Sequence, residues 1–313
     1  MIYTVTLSPA LDYLLWLDRF VPGELNRADK TAFRAGGKGI NVSVILQRLG
    51  LPGVCLGFTA GFVGDEIIRL LDEEGMRHDF IRLSEGCTRI NVKVKAGTES
   101  EINAYGPRIP REAVDRLMTQ TAALEPGDIL VLSGNPPKEF PENIYTELLR
   151  TASGKGIKTV LDTSGKYLTD ALSGRPYLIK PNLHELEEVT GRALTTPEQI
   201  AEAALRLREK GAANVLVSMG KDGALLAADD GGIRSCGIPG GELIDSTGAG
   251  DSMAAGFIAE EIFGGDRSEC LRFAVACGSA SAYSFGLADA EKINEVLSQT
   301  PVPVLMRPGA DAS

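Results

Sequence analysis

Apolar positions along the chain fall into short, evenly spaced blocks. Ile2–Leu7, Val54–Thr59, Asp128–Ser133, Lys158–Asp162, Tyr177–Lys180 and Asn214–Ser218 are brief, mostly apolar runs bounded by turn residues, and each reads as a buried strand. The segments between them follow a helical period. Helices are predicted over Val42–Leu49, closed by Gly50, and over Gly64–Gly75, Arg111–Leu124, Phe140–Ala152, Asn182–Thr190 and Pro197–Lys210, with a short one at Leu168–Leu172. Apolar strands alternating with helices predict an α/β fold with a mainly parallel, doubly wound sheet. Ala224–Ala228 reads as one more strand, returning through the turn at Gly220–Gly223.

Two stretches depart from this rhythm. Thr88–Lys95 and, more weakly, Glu99–Tyr105 alternate polar and apolar residues on either side of Ala96-Gly97-Thr98. That pattern predicts a hairpin with one wet face, set apart from the main sheet and covering a site. Cys270–Tyr283 is rich in Ala, Gly, Ser and Cys and almost uncharged, so it reads as a helix buried on all sides. Glu291–Leu297 is the last predicted helix, and the tail from Thr300 to Ser313 is expected to fray in part.

Composition narrows the function. The chain has 313 residues and a net charge of −10, which disfavours a nucleic-acid-binding surface. The N-terminal run lacks the basic and long apolar regions of a signal peptide, and no apolar stretch approaches the ~20 residues of a membrane span. A soluble cytoplasmic protein is expected. Cys55, Cys87, Cys236, Cys270 and Cys277 form no CxxC pair and read as free thiols. Neither His78 nor His184 has a partner motif, and neither is assigned a catalytic role.

The predicted strands end in Asp12, Ser133-Gly134, Asp162, Lys180-Pro181-Asn182 and Ser218-Met219-Gly220, polar or glycine residues suited to a ligand crevice. Two helix starts are rich in glycine: Ala35-Gly36-Gly37-Lys38-Gly39-Ile40-Asn41 and Asp245-Ser246-Thr247-Gly248-Ala249-Gly250-Asp251. Such starts offer unpaired N–H groups and positive partial charge to an anion. The first has the spacing of neither a P-loop nor a dinucleotide fingerprint. Asp251 is then either a helix cap or a base. Arg27, Lys30, Arg34 and Lys38 form a basic cluster that is either solvated or a phosphate site. Asn182 and Glu185 have the spacing of a capping box. Phosphoryl transfer to a small polar acceptor needs one base for a hydroxyl and N–H donors for the displaced charge, and Asp251 with Gly248–Gly250 offers both.

Asp245–Met253 resembles the second signature of the ribokinase-like (PfkB) carbohydrate kinases. Ala35–Asn41 resembles their first, and Lys180-Pro-Asn-Leu-His-Glu185 their Asn-x-x-Glu element. The resemblance implies a ribokinase-like α/β/α sandwich with a small β lid, residues 13–34 and 87–105 forming the lid and 1–12, 35–86 and 106–313 the main body. It implies ATP and Mg²⁺ as cofactors. Asp251 would be the general base, and Gly248, Ala249 and Gly250 the anion hole. Lys180, Asn182, Ser218, Gly220, Gly223, Thr247 and Gly248 would contact ATP, with Cys277 and Ser281 lining its adenine pocket. Asn182 and Glu185 would organise the metal through water. Asp12, Gly36, Gly37, Lys38 and Asn41 would hold the sugar, and Arg27, Lys38, Arg89 and Arg108 its existing phosphate. Thr88-Arg-Ile-Asn-Val-Lys93, Glu101-Ile-Asn103 and Leu7–Asp12 resemble the branch acting on fructose 1-phosphate, with tagatose 6-phosphate the alternative acceptor. The intact Asp251 counts against a non-catalytic sensor, and the cationic lid against a ribose or nucleoside kinase. The loop Ser133-Gly-Asn-Pro-Pro137 departs from the family's usual Ser-Gly-Ser-Leu-Pro. A homodimer joined through the lids is the expected assembly.

Overall fold

The computed structural model describes residues 1–137, 140, 141 and 143–306. In the first third of the chain, β1 (Ile2–Thr6) leads to β2 (Ala10–Trp16) and β3 (Lys30–Gly36), then α1 (Lys38–Arg48), β4 (Gly53–Ala60), α2 (Gly61–Glu73) and β5 (Arg77–Leu83). The hairpin β6 (Arg89–Ala96) and β7 (Thr98–Asn103) follows. A regular alternation comes next: α3 (Arg111–Ala122), β8 (Ile129–Ser133), α4 (Ile144–Ser153), β9 (Lys158–Asp162), α5 (Gly165–Ala171), β10 (Leu178–Ile179), α6 (Leu183–Thr190), α7 (Pro197–Glu209) and β11 (Asn214–Ser218). The chain closes with β12 (Ala224–Ala227), β13 (Ile233–Cys236), α8 (Ala249–Phe263), α9 (Arg267–Ala282), α10 (Ala290–Gln299) and β14 (Val304–Met306).

Ten strands form one sheet in the order β14-β13-β12-β11-β10-β9-β8-β1-β4-β5, parallel from β11 to β5 and antiparallel at the β12–β14 edge. The strands read as apolar runs because both faces are covered. Leu130, Leu132, Leu161, Val215 and Val217 enter the core with Tyr145, Leu148 and Leu207. Their alternate neighbours Val131, Val160 and Leu216 enter the opposite core with Ile45, Phe257 and Leu271. Full burial of a side chain such as Phe257 contributes about 2–3 kcal/mol.

Helices α8 and α9 pack tightly, because small residues let their backbones approach. A Cβ on Gly256 would meet the Phe273 carbonyl at 2.9 Å, and one on Gly278 would meet the Met253 side chain at 2.4 Å. This is the physical content of the uncharged Ala/Gly/Ser/Cys stretch.

A separate sheet takes the order β3-β2-β6-β7. The predicted hairpin is its outer half, with Lys93 opposite Glu101 and Lys95 opposite Glu99. Its inner half begins at Ala10, so Asp12 lies within β2, paired in register with Arg34 and Asn91, and not in a turn after β1. Five strands have no counterpart among the elements expected from the sequence: β2 and β3 of the small sheet, and β5, β13 and β14. β5 carries the polar side chains of Arg77, His78, Asp79 and Arg82 and, among the described residues, pairs with β4 alone. β13 and β14 are four and three residues long. β14 also gives Val304–Met306 order where fraying was expected, and the tail beyond residue 306 lies outside the described residues. The helix expected from Phe140 begins at Ile144.

Candidate active site

The parallel strands deliver their C-terminal ends to one crevice, beside the point where chain order reverses around β1. Asp162 ends β9, Lys180 follows β10, and Ser218 ends β11. Two helices begin over the same edge. Helix α1 starts at Lys38 after Gly37 (φ 128°), and α8 starts at Ala249 after Gly248 (φ 79°). Both caps need a backbone that glycine alone adopts at little cost. Space is also restricted: a Cβ on Gly248 would meet Leu287 at 2.5 Å, and one on Gly37 would meet Thr6 at 2.6 Å.

Asp251 lies in the first turn of α8 and is only 6% exposed. Asn41, from α1, donates Nδ2 to its Oδ2 at 2.7 Å. Burial, and then the negative charge of Asp162, push the Asp251 carboxyl up to about 6; Asn41, Lys38 and Lys180 oppose the rise. Asp162 is fully buried between two cations. Lys38 Nζ donates to its Oδ1 at 3.0 Å, and Lys180 Nζ lies 3.3 Å from Oδ2, which makes no hydrogen bond of good geometry. Burial would raise Asp162, but Lys180 and Lys38 outweigh it and hold the carboxyl below its ordinary range. Burial alone would lower Lys38; Asp162 and Asp251 hold it above its ordinary value instead. Lys180 also reaches α8, since a Cβ on Gly250 would lie 3.1 Å from its Nζ. Two lysines and two carboxylates thus meet at the N-terminus of α8.

A cavity of about 490 Å³ opens beside them. Its lining mixes polar side chains, Asn182, Ser218, Lys221 and Ser246, with apolar ones, Ile238, Leu243, Met253 and Val275, and with glycines including Gly250 and Gly278. A ligand with both an apolar ring and charged groups suits such a lining. Cys277 and Ser281 are fully buried but do not line it. Cys277 faces Gly256, and Ser281 Oγ lies 2.8 Å from Ser252 Oγ. The wall from α9 is made instead by Gly278, Ser279 and Ala282. Asn182 and Glu185 form a reciprocal capping box at 2.8 Å on each side, so the cap uses Asn182 Oδ1 and Glu185 Oε2.

On the other side, the small sheet presents Asp12. Asn91 donates to its Oδ1 at 3.0 Å, and a Cβ on Gly36 would meet the carboxylate at 2.7 Å. Burial raises the Asp12 carboxyl against the pull of Lys93, Asn91 and Arg89. Arg89 donates to the Ser8 carbonyl at 3.1 Å, and its Nε is buried without a partner. Arg89 and Arg108 share a pocket of about 410 Å³ with Ser8, Tyr105 and Asn135. Asn135, from the departing loop, is held by the turn after β9, accepting from Thr163 Oγ1 at 2.7 Å and Ser164 N at 3.1 Å. Arg27 is exposed on the loop between β2 and β3.

The glycine-rich α8 start, the buried Asp251 and the separate small sheet carrying Asp12 lie around one crevice. The profile of the pfkB family carbohydrate kinases matches residues 6–293. The chain belongs to the PfkB family. It is 40% identical over 302 residues to 1-phosphofructokinase of Bacillus subtilis, covering 96% of this chain and 99% of that protein. It is 36% identical over 303 residues to D-tagatose-1-phosphate kinase of Bacillus licheniformis, covering 96% and 99%. Among solved structures, phosphofructokinase-2 of Escherichia coli in complex with substrates and products superposes with a TM-score of 0.90 at 29% identity, covering 95% of this chain and 98% of that one. The kinase therefore uses ATP, and no helix among the described residues is long and apolar enough to cross a membrane.

Several site residues carry little signal in the sequence. Asp162 reads there only as a polar strand end. Asn91 and Lys93 stand out only within the Thr88–Lys93 motif, and Lys95 only as part of the same hairpin, with no role given to any of them. The signal that could have found them is their spacing: with Arg89 they occupy alternate positions of β6, hence one face.

Proposed function

We propose that this kinase transfers the γ-phosphoryl group of ATP to the C6 hydroxyl of fructose 1-phosphate, giving fructose 1,6-bisphosphate. The observation that carries the reading is Asp251: a buried carboxylate, oriented by Asn41, in the first turn of a glycine-started helix beside two lysines. With its carboxyl at about 6, most of it is ionised at neutral pH and able to accept a proton. Asp251 takes the proton of the acceptor hydroxyl. The N–H groups of Gly248–Gly250 and the α8 N-terminus face the transferring phosphoryl group, and Lys38 and Lys180 neutralise its charge.

ATP occupies the 490 Å³ cavity, its base against the apolar side chains and its phosphates toward Gly250. Among the described residues no three His, Cys, Asp or Glu side chains are grouped to cage a metal. This donor set fits Mg²⁺ carried on the nucleotide phosphates with its waters. Asn182 and Glu185 would hold those waters, and the ion would supply charge neutralisation. Asp12 and Asn41 orient the sugar hydroxyls. Arg89 and Arg108 hold the existing phosphate in the 410 Å³ pocket, where the unpartnered Arg89 Nε gives a reason for an anion. The small sheet acts as the lid, and pairing of two lids is the assembly we favour.

Tagatose 1-phosphate is the second reading, favoured by the relative in Bacillus licheniformis. The two sugars differ only at C4, on the hydroxyl side of the site. An ADP-release assay with Mg-ATP and fructose 1-phosphate, tagatose 1-phosphate, fructose 6-phosphate, tagatose 6-phosphate and ribose separates these readings. Fructose 1-phosphate should give the highest kcat/KM. A preference for a 6-phosphate or for ribose refutes the proposal.

A further inference from the structure

Four polar side chains alternate along β6 and share one face of the small sheet. Arg89 and Asn91 serve the acceptor side through Ser8 and Asp12. Lys93 and Lys95 have no part in the chemistry proposed above, yet both turn inward. Lys93 is 6% exposed, and its Nζ lies 2.9 Å from Glu101 Oε1 and 3.3 Å from Thr247 Oγ1. Lys95 Nζ lies 2.9 Å from Glu99 Oε1 and 3.1 Å from Asp245 Oδ2. Asp245 is 5% exposed, and its other oxygen accepts the Thr247 N–H at 3.0 Å.

Lysines two residues apart on the sheet grip residues two apart on the loop, and that loop runs directly into Gly248-Ala249-Gly250-Asp251. Enclosed ammonium groups are costly unless their partners are held in place, so these contacts are not ordinary solvated surface pairs. Lys93 is also close enough to Asp12 to pull its carboxyl down. One ammonium therefore feels both the acceptor-binding carboxylate and the loop that forms the anion hole.

We infer that Lys93 and Lys95 are positioning residues, a two-pronged latch that joins the acceptor-holding sheet to the Asp245–Thr247 turn and sets the Gly248–Gly250 N–H groups for transfer. The inference rests on the proposed roles of Asp251 and the α8 start. It extends them by tying anion-hole geometry to the sheet that seats the sugar.

The test compares Lys95→Met, Lys95→Arg, Asp245→Asn and the Lys95→Met/Asp245→Asn double variant of the full chain. Steady-state kinetics are run on the best acceptor of the panel. Isothermal titration calorimetry measures sugar-phosphate binding independently of turnover. Lys95→Met should lower kcat about tenfold while the titration midpoint moves less than threefold. Lys95→Arg should recover most of the rate. The double variant should lose no more than either single one. Lys93→Met, measured in the same way, should also lower kcat with little change in the titration midpoint; an unchanged kcat there would remove the second prong. For Lys95, an unchanged kcat, a loss confined to binding, or losses that multiply in the double variant would overturn the latch. If instead Asp251→Asn keeps its activity, the proposed catalytic reading fails, and the latch with it.

Discussion

Replacing Asp251 by Asn should abolish turnover and at the same time stabilise the fold. The carboxyl ionises at about 6 in the folded chain against an ordinary 3.8, because burial and Asp162 disfavour its charge more than Asn41, Lys38 and Lys180 favour it. At ~1.4 kcal/mol per pH unit, the charged form costs the folded state about 3 kcal/mol at neutral pH. The sign follows from linkage. The folded state binds the proton more tightly than the unfolded one, so the penalty is full above about 6, shrinks as pH falls, and is gone below 3.8. Asparagine keeps the shape and an oxygen for Asn41 without the charge. For a chain of this length, about 3 kcal/mol corresponds to roughly 4–5 °C in Tm. Differential scanning calorimetry of both proteins from pH 8 to pH 4 measures the difference directly. The variant should melt several degrees higher at pH 8, with the gap closing by pH 4. An equal or lower Tm for the variant at pH 8 would refute the argument that Asp251 is held charged against the stability of the fold.

Other expectations use the same geometry. Asn41→Ala removes the 2.7 Å donor to Asp251. Its carboxyl should rise further, and the acid limb of the kcat/KM profile should move up by about 1 pH unit. A pH–rate series from 5 to 8 checks this. Arg89→Met should raise KM for the sugar phosphate by roughly 10–100-fold through loss of a charge-assisted contact, leaving KM for ATP unchanged; initial-rate kinetics in both substrates decide. Gly250→Ala should leave Tm unchanged or slightly higher, because alanine favours helix by up to about 1 kcal/mol. Its Cβ would nonetheless press on Lys180 Nζ at 3.1 Å, and kcat should fall at least tenfold; thermal melts beside turnover rates separate the two effects.

The α/β alternation was legible because burial on both faces leaves strands apolar throughout, as Leu130–Leu132 and Val215–Val217 are. Gly37 and Gly248 were legible because a positive φ at a helix start selects glycine locally. The β6–β7 hairpin showed in its period of two, but its polar face is not wet as expected: Lys93 is buried and Lys95 turns inward onto Asp245. Edge strands left weaker traces: β5 carries four charged or imidazole side chains, and β13 and β14 are too short to show a period.

What a helix faces is a different kind of fact. α9 is uncharged along the stretch that packs, so nothing in its residues distinguishes the cavity wall at Gly278 and Ala282 from the helix interface at Cys277 and Ser281. Asp12 could not be assigned to the small sheet until β6 supplied Asn91 as its neighbour. The Lys38–Asp162–Lys180 cluster gathers three elements spread over some 140 residues, and the Lys95–Asp245 pair spans a similar distance. Backbone conformation and apolar patterning are local properties, so they are written in neighbouring residues. Burial, and after it the charges around Asp251 that together set it to about 6, act through space, and the packing of strands and helices decides which groups stand close enough to matter.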